Sequence, residues 1–457
     1  MGLYEKTWES IDSRPLPGWF DEAKLGIFIH WGLYSVPAYA PKRRDVESTG
    51  LAYSEWYGWQ VAGKYPPYYD FHRKVYGEHF RYEDFAGQWK AEMFDPDKWA
   101  KLFARAGAKY VVLVSKHHDG FCLWPSYYSW NWNSVDIGPH RDIVGELLDA
   151  AERSGLHRGL YYSLLEWFHP VMQVKDLAKA DIPRYAVEKM IPQMKELVEG
   201  YRPDILFTDG EWSYNSEQWH SLDFITWLYN ESSVRDKIVI NDRWGSDTRG
   251  LHGGYLSCEY GEVNSPAVEE KEAIKNLARR KWEECRSIGA SFGYNRNEDV
   301  TDYLSENQLI ELLVDTVSRG GNLCLNVGPC ADGTIAPLIQ ERLLQLGEWM
   351  EVNSEAIYGT SAARELCLPK GVRATRKGNV IYLFCNRYPK EELRVSGMSF
   401  GRNESGREEA VKAVLLGSGA PVACRMDGMD IVLKAPMLTV DELPCRNIYT
   451  FKIWQNG

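Results

Sequence analysis

The chain has 457 residues, of which 44% are hydrophobic and 26% charged, a composition that excludes fibrous and disordered proteins. Its 53 basic and 64 acidic residues leave a net charge of −11, which argues against nucleic acid or an anionic membrane as a partner. No stretch approaches the roughly 18 apolar residues of a membrane span.

The amino-terminal residues MGLYEKTWES contain no apolar signal region. We therefore expect a cytoplasmic location for the chain as it stands, or export if a signal peptide has been trimmed. Nine cysteines are scattered without CxxC pairs or zinc-type spacing, which favours free thiols. The unusual counts are 18 Trp and 27 Tyr, amphipathic rings that either fill a large core or line a binding surface.

The first predicted strand, KLGIFIHWG at residues 24–32, ends in His30 and Trp31. Residues 39–85 follow, dense in aromatic, proline and charged residues but poor in periodicity. We interpret them as a long loop that carries Glu55 and Trp56, because loops of that length in a compact domain are usually functional.

Helix and strand signals alternate after this loop. Asp95 is the predicted N-cap of a helix that ends at Gly107, and Asp142 caps another that ends at Gly155. The other predicted helices span residues 182–199, 222–229, 309–317 and 338–352, and the other strands span residues 110–115, 159–163, 204–209, 237–241 and 322–327.

This alternation predicts an α/β fold of parallel βα units, a (β/α)8-like barrel. No glycine-rich phosphate loop follows the first strand, which disfavours dinucleotide binding. Chemistry in such barrels lies at the carboxyl ends of the strands. The polar residues predicted at those ends are His30, His117, His118, Tyr162, Asp209 and Arg243.

The pattern changes after residue 359. Segments at residues 379–384, 411–416, 430–433 and 447–454 are β-branched or alternating and are separated by turn residues. We predict a catalytic domain at residues 1–358 and an antiparallel β-sandwich at residues 359–457. Packing against the barrel is the expected role of the sandwich, and auxiliary sugar binding is the alternative.

Asp209 closes the apolar strand of DILFTDGEW at residues 204–212. An acid at the end of a buried strand, beside a tryptophan, fits a glycosidase nucleophile, and a buried ion pair with arginine is the structural alternative. A retaining glycosidase needs a second, protonated carboxyl about 5–5.5 Å away. Glu259, in the apolar setting of YLSCEYGEVN, is the predicted general acid. Glu283 and Glu262 are the alternatives.

The adjacent His117 and His118 are candidate metal ligands. No HxH or HExxH motif accompanies them, so we predict no metal site. Hydrogen bonds to sugar hydroxyls suit them better, although either could be a core histidine. Glu55 and Trp56 pair an acceptor with a large ring, and Phe292 is a further candidate wall for an apolar sugar face.

Nine motifs in this order resemble the α-L-fucosidase family, glycoside hydrolase family 29: GIFIHWGLYSVPA, EWY, KHHDGFCLW, GLYYSLLEWFHP, LFTDGEW, NDRWG, KWEECRSIG, SFGYNRNE and GGNLCLNVGP. The resemblance implies exo-acting, retaining hydrolysis of terminal α-L-fucose from a glycan or oligosaccharide. It also implies a barrel with a C-terminal β-sandwich and no metal or organic cofactor.

The resemblance implies a role for each residue that matches a motif of the family. In LFTDGEW, Asp209 stands at the position of the family's nucleophile. Phe207 stands where some members have a tryptophan. The residues at the positions that contact fucose in this family are His30, Glu55, Trp56, His117, His118, Tyr162 and Arg243. Two other functions stay open from the residues: a retaining hydrolase or transglycosylase for a related sugar such as β-D-galactose or D-arabinose, and a catalytically dead fucose-binding protein.

Overall fold

The computed structural model describes residues 3–173, 180–260, 280–397, 411–428 and 430–455. Within them, eight strands that pair in parallel form one sheet in the order β5-β4-β3-β2-β1-β8-β7-β6. The strands are β1 Leu25–Ile29, β2 Tyr110–Lys116, β3 His157–Ser163, β4 Ile205–Asp209, β5 Val239–Ile240, β6 Leu256–Glu259, β7 Trp282–Ser287 and β8 Asn322–Val327.

The sheet curls so that its edge strands β5 and β6 meet. The Tyr255 backbone N–H, just before β6, donates to the Ile240 carbonyl at 3.1 Å. After β5, the Asp242 carboxylate accepts from the Ser257 backbone N–H and hydroxyl at 3.0 and 2.7 Å. These contacts confirm the predicted (β/α)8-like architecture.

Helices connect the strands and cover the outside of the barrel. Asp95 and Asp142 cap helices as predicted, accepting from the backbone N–H groups of Lys98 and Gly145. The helices are α1 Trp8–Asp12, α2 Gly18–Ala23, α3 Tyr57–Ala62, α4 Pro66–Val75, α5 Phe85–Gln88, α6 Pro96–Arg105, α7 Ile143–Arg153, α8 Ile182–Tyr185, α9 Ile191–Tyr201, α10 Ser221–Asn230, α11 Glu306–Ser318 and α12 Pro337–Asn353.

A π-helical turn, Ala186–Met190, joins α8 to α9. Pro192, in the first turn of α9, has no N–H to donate four residues back, and a wider turn accommodates that loss. Among the described residues, no helix has the length and apolar character needed to cross a membrane.

The interpretation of residues 39–85 as a loop is wrong. The segment folds into α3, α4 and several 3₁₀ turns, and α5 begins at its last residue, Phe85. Tyr57, Tyr68 and Phe85 are fully buried in it, so it is a packed layer over the barrel rim. Its longest helix has only ten residues, too few turns for a helical period to stand out among so many aromatic residues.

The described residues of the C-terminal part form a five-stranded sheet, in the order β13-β16-β11-β10-β9, and a three-stranded sheet, in the order β12-β15-β14. Helix α12 ends at Asn353 and β9 begins at Ser361. The strands are β9 Ser361–Ala362, β10 Val372–Lys377, β11 Val380–Cys385, β12 Leu393–Val395, β13 Val411–Leu415, β14 Ala423–Asp427, β15 Asp430–Lys434 and β16 Tyr449–Gln455.

Alternating side chains of β11 attach this sandwich to the barrel. Ile381 and Leu383 point into the core between the two sheets. Tyr382 and Phe384 point the other way, into the large core that contains Trp349 of α12. Both faces of β11 are therefore buried, and the sandwich is fixed to the barrel by an apolar interface.

Candidate active site

A cavity of about 110 Å³ opens at the carboxyl ends of the barrel strands. Most of the side chains predicted for the site line it, although they come from distant parts of the sequence. The predicted residues that it brings together are His30, Glu55, Trp56, His117, His118, Phe207, Asp209, Arg243, Glu259 and Phe292.

Asp209 is held at the base of this pocket by two donors. Arg243 donates through Nη1 to Oδ1 at 2.8 Å, and the Tyr161 hydroxyl donates to Oδ2 at 2.9 Å. Burial by itself raises the pKa of Asp209, but the charge of Arg243 and the hydrogen bonds from Arg243 and Tyr161 outweigh it and lower the pKa to about 2. Asp209 is therefore an oriented, ionised carboxylate at neutral pH.

Glu259 lies at the pocket mouth and shares Arg243 with Asp209. Its Oε1 is 2.6 Å from Arg243 Nη2, and its side chain is 26% exposed. Arg243 is itself buried, oriented by the Ser257 hydroxyl at 2.8 Å and lying over the Phe207 ring. One guanidinium thus bridges the carboxyl groups of Asp209 and Glu259.

The histidines of the pocket are neutral. Burial lowers the pKa of His30 to about 3 and that of His118 to about 4. The His30 Nδ1 faces Asn326 Oδ1 at 2.7 Å, and Asn326 uses its amide N–H to donate to the Phe292 carbonyl. Because Asn326 Oδ1 can only accept, His30 carries its proton on Nδ1 and presents an acceptor Nε2 to the pocket.

The same logic holds for His118. Its Nδ1 lies 2.6 Å from the Ser163 hydroxyl, which donates its own proton to the Leu165 carbonyl. The Nε2 is therefore the acceptor. His117 Nδ1 is buried without a hydrogen-bond partner in the part of the chain described. The described residues contain no cluster of three or more His, Cys, Asp or Glu side chains suited to a metal ion.

Glu55 is a second acidic group of the pocket wall. Its Oε2 accepts from the Gly293 backbone N–H at 2.8 Å and the Ser291 hydroxyl at 3.2 Å. Burial raises its pKa to about 7, although these hydrogen bonds oppose the rise. Glu55 thus fastens the Phe292 loop to the rim and exchanges a proton near neutral pH.

The prediction that Tyr162 contacts the ligand is wrong. Tyr162 points outward and donates to Gln193 Oε1 of α9 at 2.8 Å, whereas Tyr161 points inward to Asp209. In the sheet, Tyr161 lies beside Phe207 and Tyr162 beside Thr208. Since alternate residues of a strand share a face, Tyr161 lies on the side of Phe207 and Asp209.

Glu283 does not reach the pocket. It lies at the amino-terminal end of β7, beside the first residue of β8, and accepts from the Tyr110 hydroxyl inside the barrel. Its distance from the rim argues against the alternative that it is the acid. Glu262 lies outside the described residues. The pocket also contains three side chains that sequence reasoning missed besides Tyr161, namely Phe28, Tyr53 and Trp212.

Comparison with known proteins places this chain in a family. The α-L-fucosidase family model matches residues 2–355. The chain belongs to the α-L-fucosidase family. It is 45% identical over 390 residues to the tissue α-L-fucosidase of Bos taurus, covering 85% of this chain and 78% of that one. It is 40% identical to the rat tissue enzyme, covering 98% and 92%.

Solved α-L-fucosidase structures have the same fold. The Thermotoga maritima α-fucosidase in complex with a mechanism-based inhibitor superposes with a TM-score of 0.83 at 37% identity, covering 99% of this chain and all of that one. The same bacterial enzyme in complex with fucose gives a TM-score of 0.81, also at 37% identity, covering 98% and 100%. The predicted family and fold are confirmed.

Proposed function

We propose that this chain is an exo-acting, retaining α-L-fucosidase that releases terminal α-L-fucose from glycans or oligosaccharides. The observation that carries the proposal is the Arg243 guanidinium, which holds the carboxyl groups of Asp209 and Glu259 in one aromatic-lined pocket. A blind pocket of this size suits one terminal sugar ring.

In this proposal Asp209 attacks the anomeric carbon while Glu259 protonates the glycosidic oxygen, so the bond to the leaving group breaks as the fucosyl ester forms. Glu259, now a carboxylate, then takes a proton from water, whose oxygen attacks the same carbon and releases Asp209. The acceptor nitrogens of His30 and His118 bind sugar hydroxyls, and Phe28, Phe207 and Phe292 surround the apolar part of the ring.

Glu55 is the competing candidate for the acid, because its pKa of about 7 leaves it protonated over part of the neutral range. Two observations favour Glu259. The Glu55 carboxyl is almost fully buried and its Oε2 is committed to Gly293 and Ser291, whereas Glu259 lies at the mouth, where a leaving group must pass.

Hydrolysis of an aryl α-L-fucoside by variants tests both roles. Asp209→Ala should lose at least about a thousandfold in kcat, because it removes the nucleophile. Glu259→Ala should lose far less with an activated phenol, which needs no protonation, and azide should restore its rate by attacking the fucosyl ester without a general base.

The same assay on Glu55→Ala and Glu283→Ala separates the alternatives. Azide rescue of Glu55→Ala but not of Glu259→Ala would transfer the acid role to Glu55. Undiminished turnover by Asp209→Ala would exclude Asp209 as the nucleophile, and wild-type turnover of an aryl β-D-galactoside but not of the fucoside would overturn the proposed substrate.

A further inference from the structure

Four tryptophans form a continuous wall that runs from the pocket to the protein surface. Trp212 stacks on Trp56 with ring centroids 5.8 Å apart, Trp56 contacts Trp167 at 5.1 Å, and Trp167 contacts Trp59 at 5.7 Å. Trp56 and Trp212 line the pocket itself, and Trp59 lies one helical turn further along the chain, in α3.

This wall is open to solvent at both ends. Trp59 is 45% exposed and Trp212 is 39% exposed, while Trp167 between them is only 5% exposed. A tryptophan whose only role is to fill the core does not need partly exposed aromatic rings beside it. Large, partly exposed rings held in place by a buried one are typical of a surface that receives a ligand.

Within the described residues, the indole N–H groups of the wall also have no hydrogen-bond partner. Elsewhere in the barrel Trp31, Trp99 and Trp219 donate to backbone carbonyls. Trp56, Trp59, Trp167 and Trp212 make no such hydrogen bond to any residue that the structure describes. An indole N–H can donate to a hydroxyl group, and the exposed ring surfaces of Trp59 and Trp212 can contact C–H groups.

The position of the wall relative to the two carboxyl groups indicates which part of the substrate it contacts. Asp209 is at the base of the pocket and Glu259 is at the mouth, with side chains 12% and 26% exposed. A fucose ring bound over Asp209 must therefore direct its glycosidic oxygen outward, and the group attached to that oxygen leaves beside Trp56 and Trp212.

We propose that the partly exposed Trp212 and Trp59, supported by the buried Trp167, form a leaving-group subsite that binds the neutral pyranose rings to which fucose is attached. The proposal rests on the proposed fucosidase function and specifies its substrate as a fucosylated oligosaccharide of at least two further rings. A neutral sugar fits better than an acidic one, because three carboxyl groups, Asp209, Glu55 and Glu259, line the adjoining pocket.

Two substrates separate the subsite from the fucose pocket. α-L-Fucosyl fluoride occupies only the pocket, because its leaving group is a single atom, whereas a fucosylated lactose trisaccharide also extends along the wall. Trp59→Ala should lower kcat/KM for the trisaccharide roughly three- to tenfold, the loss of one aromatic contact, and should leave hydrolysis of the fluoride within about twofold.

Two further variants complete the experiment. Trp59→Phe, which keeps a ring, should recover most of the lost activity. Trp130→Ala removes a tryptophan that is 85% exposed elsewhere on the surface and should affect neither substrate. Thermal unfolding of each variant identifies any general loss of structure.

The outcomes are distinct. Equal effects of Trp59→Ala on both substrates, or no effect on either, would overturn the subsite while leaving the fucosidase function intact. Failure of the wild type to hydrolyse fucosyl fluoride would instead overturn the proposed function, and the subsite with it.

Discussion

Tyr161 and Tyr162 are adjacent in β3, and both are fully buried with their hydroxyls hydrogen-bonded. Their environments nevertheless differ in kind. Tyr161 donates to the Asp209 carboxylate inside the barrel, and Tyr162 donates to a neutral amide between the sheet and α9. A hydrogen bond to a charged group contributes roughly 1.5–3 kcal/mol, about twice that of a neutral one.

Removing these two hydroxyls is a matched comparison. Tyr161→Phe should lower kcat roughly ten- to a hundredfold, because Asp209 loses one of its two orienting donors. Tyr162→Phe should destabilise the protein by about 1 kcal/mol and leave kcat near that of the wild type. Steady-state kinetics and urea unfolding of both variants measure this, and a larger kinetic loss in Tyr162→Phe would contradict the assigned faces.

At the scale of elements, a buried ion cluster joins the ends of β2 and β3. Glu166 binds Lys116 and Lys189 at 2.7 Å each, and Lys116 and Glu166 are almost completely buried. Burial raises the pKa of Glu166, but the two ammonium groups outweigh it and lower the pKa to about 2. Next to this cluster the Trp167 backbone N–H donates to the His118 carbonyl at 2.7 Å.

Glu166→Ala should therefore destabilise the protein by about 3–5 kcal/mol, because Lys116 is left as an uncompensated buried charge. The double variant Lys116→Met with Glu166→Leu should be less damaging, since it removes both buried charges and fills the space. Denaturant unfolding compares the two. A double variant less stable than Glu166→Ala would show that the pair contributes more than mutual neutralisation.

Across the whole molecule, buried carboxyl groups fall into two opposing sets. In Asp209 and Glu166, neighbouring cations outweigh burial and lower the pKa to about 2. In Glu55, Glu211 and Glu283, burial dominates and raises the pKa from 4.5 to about 7. The first set favours folding only while ionised, and the second only while protonated.

The sign of each contribution follows from linkage. The first set contributes stability above the unfolded pKa near 4, and this is lost as the pH falls toward 2. The second set binds more protons in the folded state between pH 4.5 and 7, so stability declines as the pH rises through that window. We therefore expect maximal stability near pH 5, which thermal unfolding between pH 3 and 8 measures.

Glu283→Gln tests the alkaline side of this expectation. It should flatten the decline above pH 5 by up to about 1.4 kcal/mol per pH unit, because one proton-binding group is removed. Glu341→Gln is the control, since the Glu341 side chain is 59% exposed. An unchanged slope in Glu283→Gln would mean that Glu283 is ionised in the folded protein.

Much of the fold was predictable because its signals are local. Asp95 and Asp142 cap helices within three residues of themselves, and the strand that ends in Asp209 stands out as an apolar run closed by a carboxylate and glycine. The helices of residues 39–85 were not predictable in this way. They are short, and their segment is held by contacts with distant parts of the chain, such as the hydrogen bond from the Tyr82 hydroxyl to the Asp119 carboxylate.

The sequence by itself determined the family, the barrel and the acid at the end of the fourth strand. All three can be inferred from the order and spacing of motifs along the chain. Only the tertiary structure decided that Tyr161 rather than Tyr162 orients Asp209, that Glu283 lies near the amino-terminal end of the barrel, and that four tryptophans join into one wall. A strand buried on both faces shows no alternation to indicate which side is the interior. Which end of the barrel a carboxylate occupies depends on register and closure, properties of the whole sheet.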